Sequence, residues 1–147
     1  MEKVIFVDFD DTLCLHRLNV YTDSRIFEKV DVACSKFYCQ SELNKKLYEY
    51  LIDAKHNGNK IILLTSACSK MLEIKKYWIK QNCPLIDFDD YIAVSIDIDK
   101  SKIMSEYAKY NKIDISNIIF IDDNCTERKY AQENGILTYN PQLIMNK

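Results

Sequence analysis

The chain has 147 residues, 48% hydrophobic and 29% charged, with two glycines, two prolines and a formal net charge of −2. That length suits one hydrophobic core, since domains typically hold roughly 100–200 residues, and so few glycines and prolines exclude collagen-like and linker-rich chains and argue against disorder. Gly58 and Gly135 cannot build GxGxxG or GxxxxGK[ST], which argues against P-loop kinases and ordinary dinucleotide dehydrogenases, and the charge balance gives no global basic field for a polyanion.

In chain order, the first element is the β-branched and aromatic run Val4, Ile5, Phe6, Val7, which stops at Asp8. Residues 14–40 follow no regular rhythm and are the place for a flap or small lid. Leu43, Leu47, Tyr50, Leu51 and Ala54 then recur at three- and four-residue steps, predicting a helix that Gly58 closes. Ile61 to Leu64 form a second apolar run ending at Thr65. Met71, Ile74 and Trp78 mark a helix that ends before Pro84, and Tyr91 to Val94 a third strand. Ile103, Met104, Tyr107 and Ala108 mark the next helix, and Ile118 to Ile121 a fourth strand that stops at Asp122. Residues 126–134 predict a last helix with Thr126 as N-cap and Gly135 as its stop, followed by a short strand over residues 136–139. Near-continuous apolar runs of this length indicate strands buried on both faces. Alternating with helices, they predict a three-layer α/β sandwich around a mostly parallel, Rossmann-like sheet of about five strands.

Six cysteines are widely spread, and the amino-terminal apolar run is too short, and too closely followed by acids, for a secretory signal. No stretch reaches the ~20 apolar residues of a membrane span. The expectation is a soluble, cytoplasmic protein with reduced thiols. Cys14, His16, Cys34 and Cys39 could supply four zinc ligands, but no CxxC pair supports that reading.

In open parallel sheets, ligands bind beyond the carboxyl ends of the strands. Those ends carry Asp8-Phe9-Asp10-Asp11-Thr12, then Thr65-Ser66, then residues 97–100, then Asp122-Asp123. Several acids gathered on one edge cannot all ionise cheaply without a cation, and an all-oxygen donor set suits Mg²⁺. Taken singly, each has a bland reading: an Asp after a strand is a common turn former, a Thr a cap, and a Lys a solvated charge.

Taken together, their order resembles the haloacid dehalogenase (HAD) superfamily of aspartyl-phosphate phosphatases. The first family motif, an apolar strand followed by DxDx[TV], is matched by Val4 to Val7 and Asp8 to Thr12. The second, a strand ending in Ser or Thr, is matched at Thr65. The third, a Lys opening a helix, is matched at Lys100, with Lys102 as competitor. The fourth, a strand followed by acids, is matched at Asp122 and Asp123, with Glu127 four residues after Asp123. The resemblance covers nearly the whole chain.

It implies a Mg²⁺-dependent phosphohydrolase in which Asp8 is the nucleophile and Asp10 the general acid and base. It places Mg²⁺ on the carboxylates of Asp8 and Asp123 and the backbone carbonyl of Asp10. Thr65, Ser66 and Lys100 would bind the phosphoryl group. Asp122, Glu127 and Thr12 would stand behind these groups. Residues 66–99 hold only one helix and one strand, so no large cap is expected there, and residues 14–40 would form a flap or small lid on a single domain spanning residues 1–147. The substrate would be a small phosphomonoester, a nucleotide, a phosphoprotein or a nucleic-acid end. Two alternatives differ in kind: a non-catalytic HAD-like binding protein, and a receiver-like phosphoacceptor domain. In a receiver the adjacent acid pair comes first, whereas here DxD leads and the pair comes last.

Overall fold

The computed structural model describes residues 2–16 and 41–145. Its elements are β1 (Val4–Val7), β2 (Cys14–His16), β3 (Ser41–Leu43), α1 (Lys45–His56), β4 (Lys60–Ser66), α2 (Ser69–Asn82), β5 (Asp90–Val94), α3 (Lys100–Tyr110), β6 (Ile118–Ile121), α4 (Cys125–Glu133), β7 (Leu137–Tyr139) and α5 (Pro141–Met145). The main sheet has five strands in the order β5-β4-β1-β6-β7, all parallel. The expected strands and helices are all present, with boundaries shifted by a few residues. Leu43 belongs to β3 rather than to α1, and α4 is capped by Asn124, whose side chain accepts the Thr126 and Glu127 N–H groups, not by Thr126.

Alternation along the three central strands builds two cores. Ile5, Val7, Ile61, Leu63, Ile119 and Ile121 face one side, where Leu47 and Leu51 of α1 and Met71, Trp78 and Ile79 of α2 cover them. Val4, Phe6, Ile62, Leu64, Ile118 and Phe120 face the other, under Met104 and Ala108 of α3 and Ala131 of α4. A strand covered on both faces has no polar side to show, which is why these runs are apolar without interruption. Gly58 and Gly135 follow α1 and α4 at φ +84° and +82°, the left-handed stop that favours glycine.

The strand order decides between two architectures. A receiver-like sheet runs 2-1-3-4-5, placing the first strand beside the second and third. Here β1 lies between β4 and β6, the second and fourth strands of the parallel sheet. The receiver alternative is therefore excluded by topology. Crossovers diverge to opposite sides of the boundary between β1 and β6, so a crevice opens at the carboxyl ends of those two strands.

β2 and β3 pair antiparallel, with Cys14 opposite Leu43 and His16 opposite Ser41. They are the two feet of the segment expected to act as a flap. Residues 17–40 lie outside the described residues, and with them Cys34 and Cys39 of the zinc reading. Cys14 and Cys83 are buried thiols pushed by burial up to about 12, while Cys68 and Cys125 are exposed and free. Among the described residues no helix is long and apolar enough to cross a membrane, and none of the elements formed by these residues builds a cap domain.

Candidate active site

The site starts with the turn that follows β1. The Asp8 N–H donates to Ile121 C=O (2.9 Å), continuing the β1–β6 ladder one residue past the strand. The chain then winds once around the Phe9 carbonyl, which accepts the N–H groups of Thr12, Leu13 and Cys14 at 3.3, 3.1 and 3.0 Å. Asp11 takes φ +58° at the crest of this turn, a conformation that Asp tolerates better than most residues. Phe9 is buried edge-on against Trp78, with ring centroids 5.3 Å apart, and anchors the turn in the core. The Asn44 side chain caps α1 through Leu47 N–H and also donates to Thr12 C=O at 3.0 Å, tying that helix to the turn.

Three carboxylates gather at the crevice. Ligand atoms of Asp8, Asp122 and Asp123 all lie within 4.8 Å of one another. Lys100, the first residue of α3, reaches into the group and donates to Asp8 Oδ1 (2.9 Å) and Asp122 Oδ2 (3.0 Å). Lys102 is exposed, so Lys100 is the lysine that meets the acids. The Thr12 hydroxyl lies between Asp8 Oδ2 (3.3 Å) and Asp123 Oδ1 (3.2 Å) and accepts the Asp123 N–H. Asp122 Oδ1 accepts the Asn124 N–H, and its carbonyl accepts Arg128 Nη1 at 2.7 Å. Glu127 serves α3 rather than the acid group: its Oε2 accepts the Lys100 backbone N–H at 3.2 Å.

The electrostatics follow from burial. Asp8 is pushed up to about 6 by burial, which outweighs the attraction of Lys100 and is reinforced by Asp122. Asp123 is likewise pushed up to about 6, by burial and then by the charge of Asp8. Burial also raises Asp122, against the pull of Lys100. Burial alone would lower Lys100, but Asp8 and Asp122 reverse that and hold it above its ordinary value. Three carboxylates against one ammonium leave a formal charge of −2 when all are ionised. The donor set is oxygen only, and its charge matches that of a divalent hard cation. The residues present thus fit a Mg²⁺ ion held by the carboxylates of Asp8 and Asp123.

Asp10 stands apart from this group. Its Oδ1 accepts His16 Nε2 at 2.9 Å and its Oδ2 pairs with Lys75 Nζ at 2.9 Å. Partial burial raises Asp10, but the His16 hydrogen bond and the Lys75 charge outweigh it and hold the carboxyl well below the usual range. Thr65 closes the arc from the end of β4. It is buried, and its hydroxyl accepts Lys75 Nζ at 2.7 Å. Ser66, the last residue of β4, offers its carbonyl to the same ammonium at 3.3 Å.

Among the described residues, Asp8, Asp10, Thr12, Thr65, Ser66, Lys100, Asp122, Asp123 and Glu127 therefore lie at or behind one edge of the sheet. Two partners were missed. His16, a zinc candidate in the sequence, meets Asp10. Lys75 was not singled out at all, yet its side chain is 1% exposed. A signal for it exists: Met71, Lys75, Trp78 and Ile79 share the buried face of α2, and a lysine on an apolar helical stripe is rare unless paired.

No family model and no curated protein matches the chain in sequence, but solved structures match in shape. A chain of the Pnkp1/Rnl/Hen1 RNA repair complex superposes on 95% of this one at TM-score 0.64 and 20% identity; the present chain spans 42% of that chain's length. A HAD family enzyme from Bacteroides thetaiotaomicron, in complex with magnesium and inorganic phosphate, gives TM-score 0.63 at 16% identity, over 95% of this chain and 94% of the other. The fold is that of the HAD-like hydrolases. An N-terminal part of a Bacteroides fragilis protein containing a phosphatase domain, complexed with Mg, gives TM-score 0.63 at 15% identity, over 99% of this chain and 40% of that one. The HAD-like fold thus accounts for the sheet order and for the placing of the acids on one edge.

Proposed function

We propose that the chain is a Mg²⁺-dependent phosphomonoesterase, working as a single domain through an aspartyl-phosphate on Asp8. The observation that carries this reading is the buried Asp8–Lys100–Asp122 arrangement with Asp123 beside it, at the crevice between β1 and β6. A structural salt bridge needs one acid per base, whereas two buried acids on one base with a half-buried third beside them keep unspent negative charge where a cation and a phosphoryl group would meet. Bound Mg²⁺ would neutralise charge on the phosphoryl oxygens and screen them from Asp8.

Asp8 carries out the first step. A carboxylate oxygen forms a bond to phosphorus while the bond from phosphorus to the leaving oxygen breaks. Lys100 keeps Asp8 aimed and offsets charge on the transferring group. The leaving oxygen takes its proton from Asp10. Because Asp10 is held ionised at rest, that proton enters with the monoanionic form of the substrate, which a phosphomonoester with a second pKa of about 6 populates increasingly as pH falls toward that value. In the second step water attacks phosphorus, the bond to Asp8 breaks, and Asp10 accepts the proton of the water. Thr65 and Ser66 border the phosphoryl group from the end of β4, while Thr12 aligns Asp8 with Asp123.

The test is phosphate release with and without Mg²⁺ from nucleotides, sugar phosphates, phosphopeptides and 3′- or 5′-phosphorylated oligonucleotides, with intact-mass detection of a phosphoryl adduct on the wild-type chain. Mg²⁺-dependent release that Asp8→Asn abolishes is the expected result. Full activity in Asp8→Asn would sink the mechanism.

A further inference from the structure

We infer that Lys75 is a positioning residue that aims the Asp10 carboxylate at the leaving group, an inference that rests on the phosphomonoesterase reading. An ammonium has three donors and no acceptor. Two N–H groups of Lys75 are anchored to the end of β4, on Thr65 Oγ1 at 2.7 Å and the Ser66 carbonyl at 3.3 Å. The third meets Asp10 Oδ2 at 2.9 Å. The ammonium is thereby fixed to the sheet before it touches Asp10, and Asp10 inherits the position of β4. The stem of Lys75 is held as firmly, with the ammonium 5.5 Å from the Phe9 ring centroid and α2 packed through Trp78 on Phe9.

Charge compensation alone does not account for the pair. The Asp10 side chain is 41% exposed and water could solvate it, whereas the Lys75 side chain is 1% exposed and fully desolvated. Burying an ammonium to serve a carboxylate that water already reaches is a poor source of stability. It does fix a direction. With His16 on Oδ1 and Lys75 on Oδ2, both oxygens of Asp10 are held, and the carboxylate plane cannot rotate. A proton-transfer group needs that restraint, because misplacement by about 1 Å can cost roughly 10²-fold in rate.

The experiment is a double-mutant cycle on the full chain with Mg²⁺ and the best ester from the panel, using Lys75→Met, Asp10→Asn and the combination. Lys75→Met should lower kcat by about 10- to 100-fold with KM changed less than about threefold, because the aim matters at the transition state rather than in binding. In the Asp10→Asn background the same substitution should change kcat by less than about threefold, since no proton-transfer group is left to aim. A merely structural lysine would give an equal loss in both backgrounds. If Lys75→Met does not fold, as read by its thermal transition, Lys75→Gln serves, because its amide is one atom shorter and keeps a donor for the β4 end. Unchanged kcat in Lys75→Met, or an undiminished loss in the Asp10→Asn background, overturns the inference while leaving the enzyme reading intact; unchanged kcat in Asp10→Asn overturns the inference together with the proton-transfer role of Asp10. A wild-type chain that hydrolyses none of the esters overturns both.

Discussion

Replacing Asp8 by Asn should make the metal-free protein more stable while abolishing turnover. Asp8 is buried and its carboxyl is pushed from the ordinary 3.8 up to about 6, chiefly by burial. That displacement corresponds to about 3 kcal/mol favouring the neutral form in the folded chain. Between the two values the folded chain binds a proton that the unfolded chain has released. Stability therefore falls as pH rises from about 4 to about 6 and stays lower above that range. Asn has the shape of the protonated acid without its charge, and Lys100 retains Asp122 as its partner. At pH 7.5 without divalent cations, Asp8→Asn should gain up to about 3 kcal/mol, a rise in Tm of roughly 6–12 °C for a chain of this size. At pH 4.5 most of the gain should be gone. The assay is urea unfolding of both proteins in EDTA across that pH range. An Asn variant less stable than wild type at pH 7.5, or a gap independent of pH, would refute the account of Asp8 as a charge buried for function.

Mg²⁺ should raise the Tm of the wild type at pH 7.5, by about 2.7 kcal/mol in stability at one hundred times its dissociation constant; calorimetry with Asp8→Asn and Asp123→Asn should show most of that gain lost. Lys100→Met strips both Asp8 and Asp122 of their ammonium and should cost about 3–5 kcal/mol, read as a lower urea midpoint at pH 7.5 with partial recovery at pH 5 as Asp8 takes up a proton. Asp10→Asn should reduce turnover by about 10²–10⁴-fold without abolishing it, and the loss should be smaller for a p-nitrophenyl ester, whose leaving group needs little protonation, than for an alkyl phosphate in matched assays.

The sheet was legible because its strands are buried on both faces and its acids sit where the strands stop. Val4–Val7 and Ile118–Ile121 show no polar residue until Asp8 and Asp122, and those two positions lie on neighbouring parallel strands. Lys100 was legible because a lysine that opens a helix just after a strand end has little choice of direction, and Asp99 caps that helix through the Ser101 N–H. The Asp10 partners were not legible in the same way. Lys75 comes from ten residues beyond Thr65 and meets it only because α2 folds back along the sheet, and His16 meets Asp10 only because β2 turns around the Phe9 carbonyl. Such pairings are set by the path of the chain and leave no local pattern. The cap of α4 differs from Thr126 for a simpler reason: Asn124, two residues earlier, accepts its N–H and starts α4 one residue sooner.

The two feet of residues 17–40 carry a consequence for how the edge works. β2 begins at Cys14, which bridges back to Asp10, and ends at His16, whose ring holds the Asp10 carboxylate. β3 begins at Ser41, whose hydroxyl accepts Trp78 Nε1 at 2.9 Å, and is followed by Asn44, whose amide holds Thr12 C=O. Trp78 in turn packs on Phe9. Each foot is thus fastened to the turn that carries Asp8, Asp10 and Thr12, β2 through hydrogen bonds of Cys14 and His16 and the β3 side through Asn44 and the Ser41–Trp78 contact. The acids of the crevice are therefore positioned from two directions. Asp8, Asp122 and Lys100 are set by the rigid parallel sheet and α3, while Asp10 is set by α2 on one oxygen and by the foot of the insertion on the other. That division ties Asp8 to the parallel sheet and Asp10 to α2 and β2.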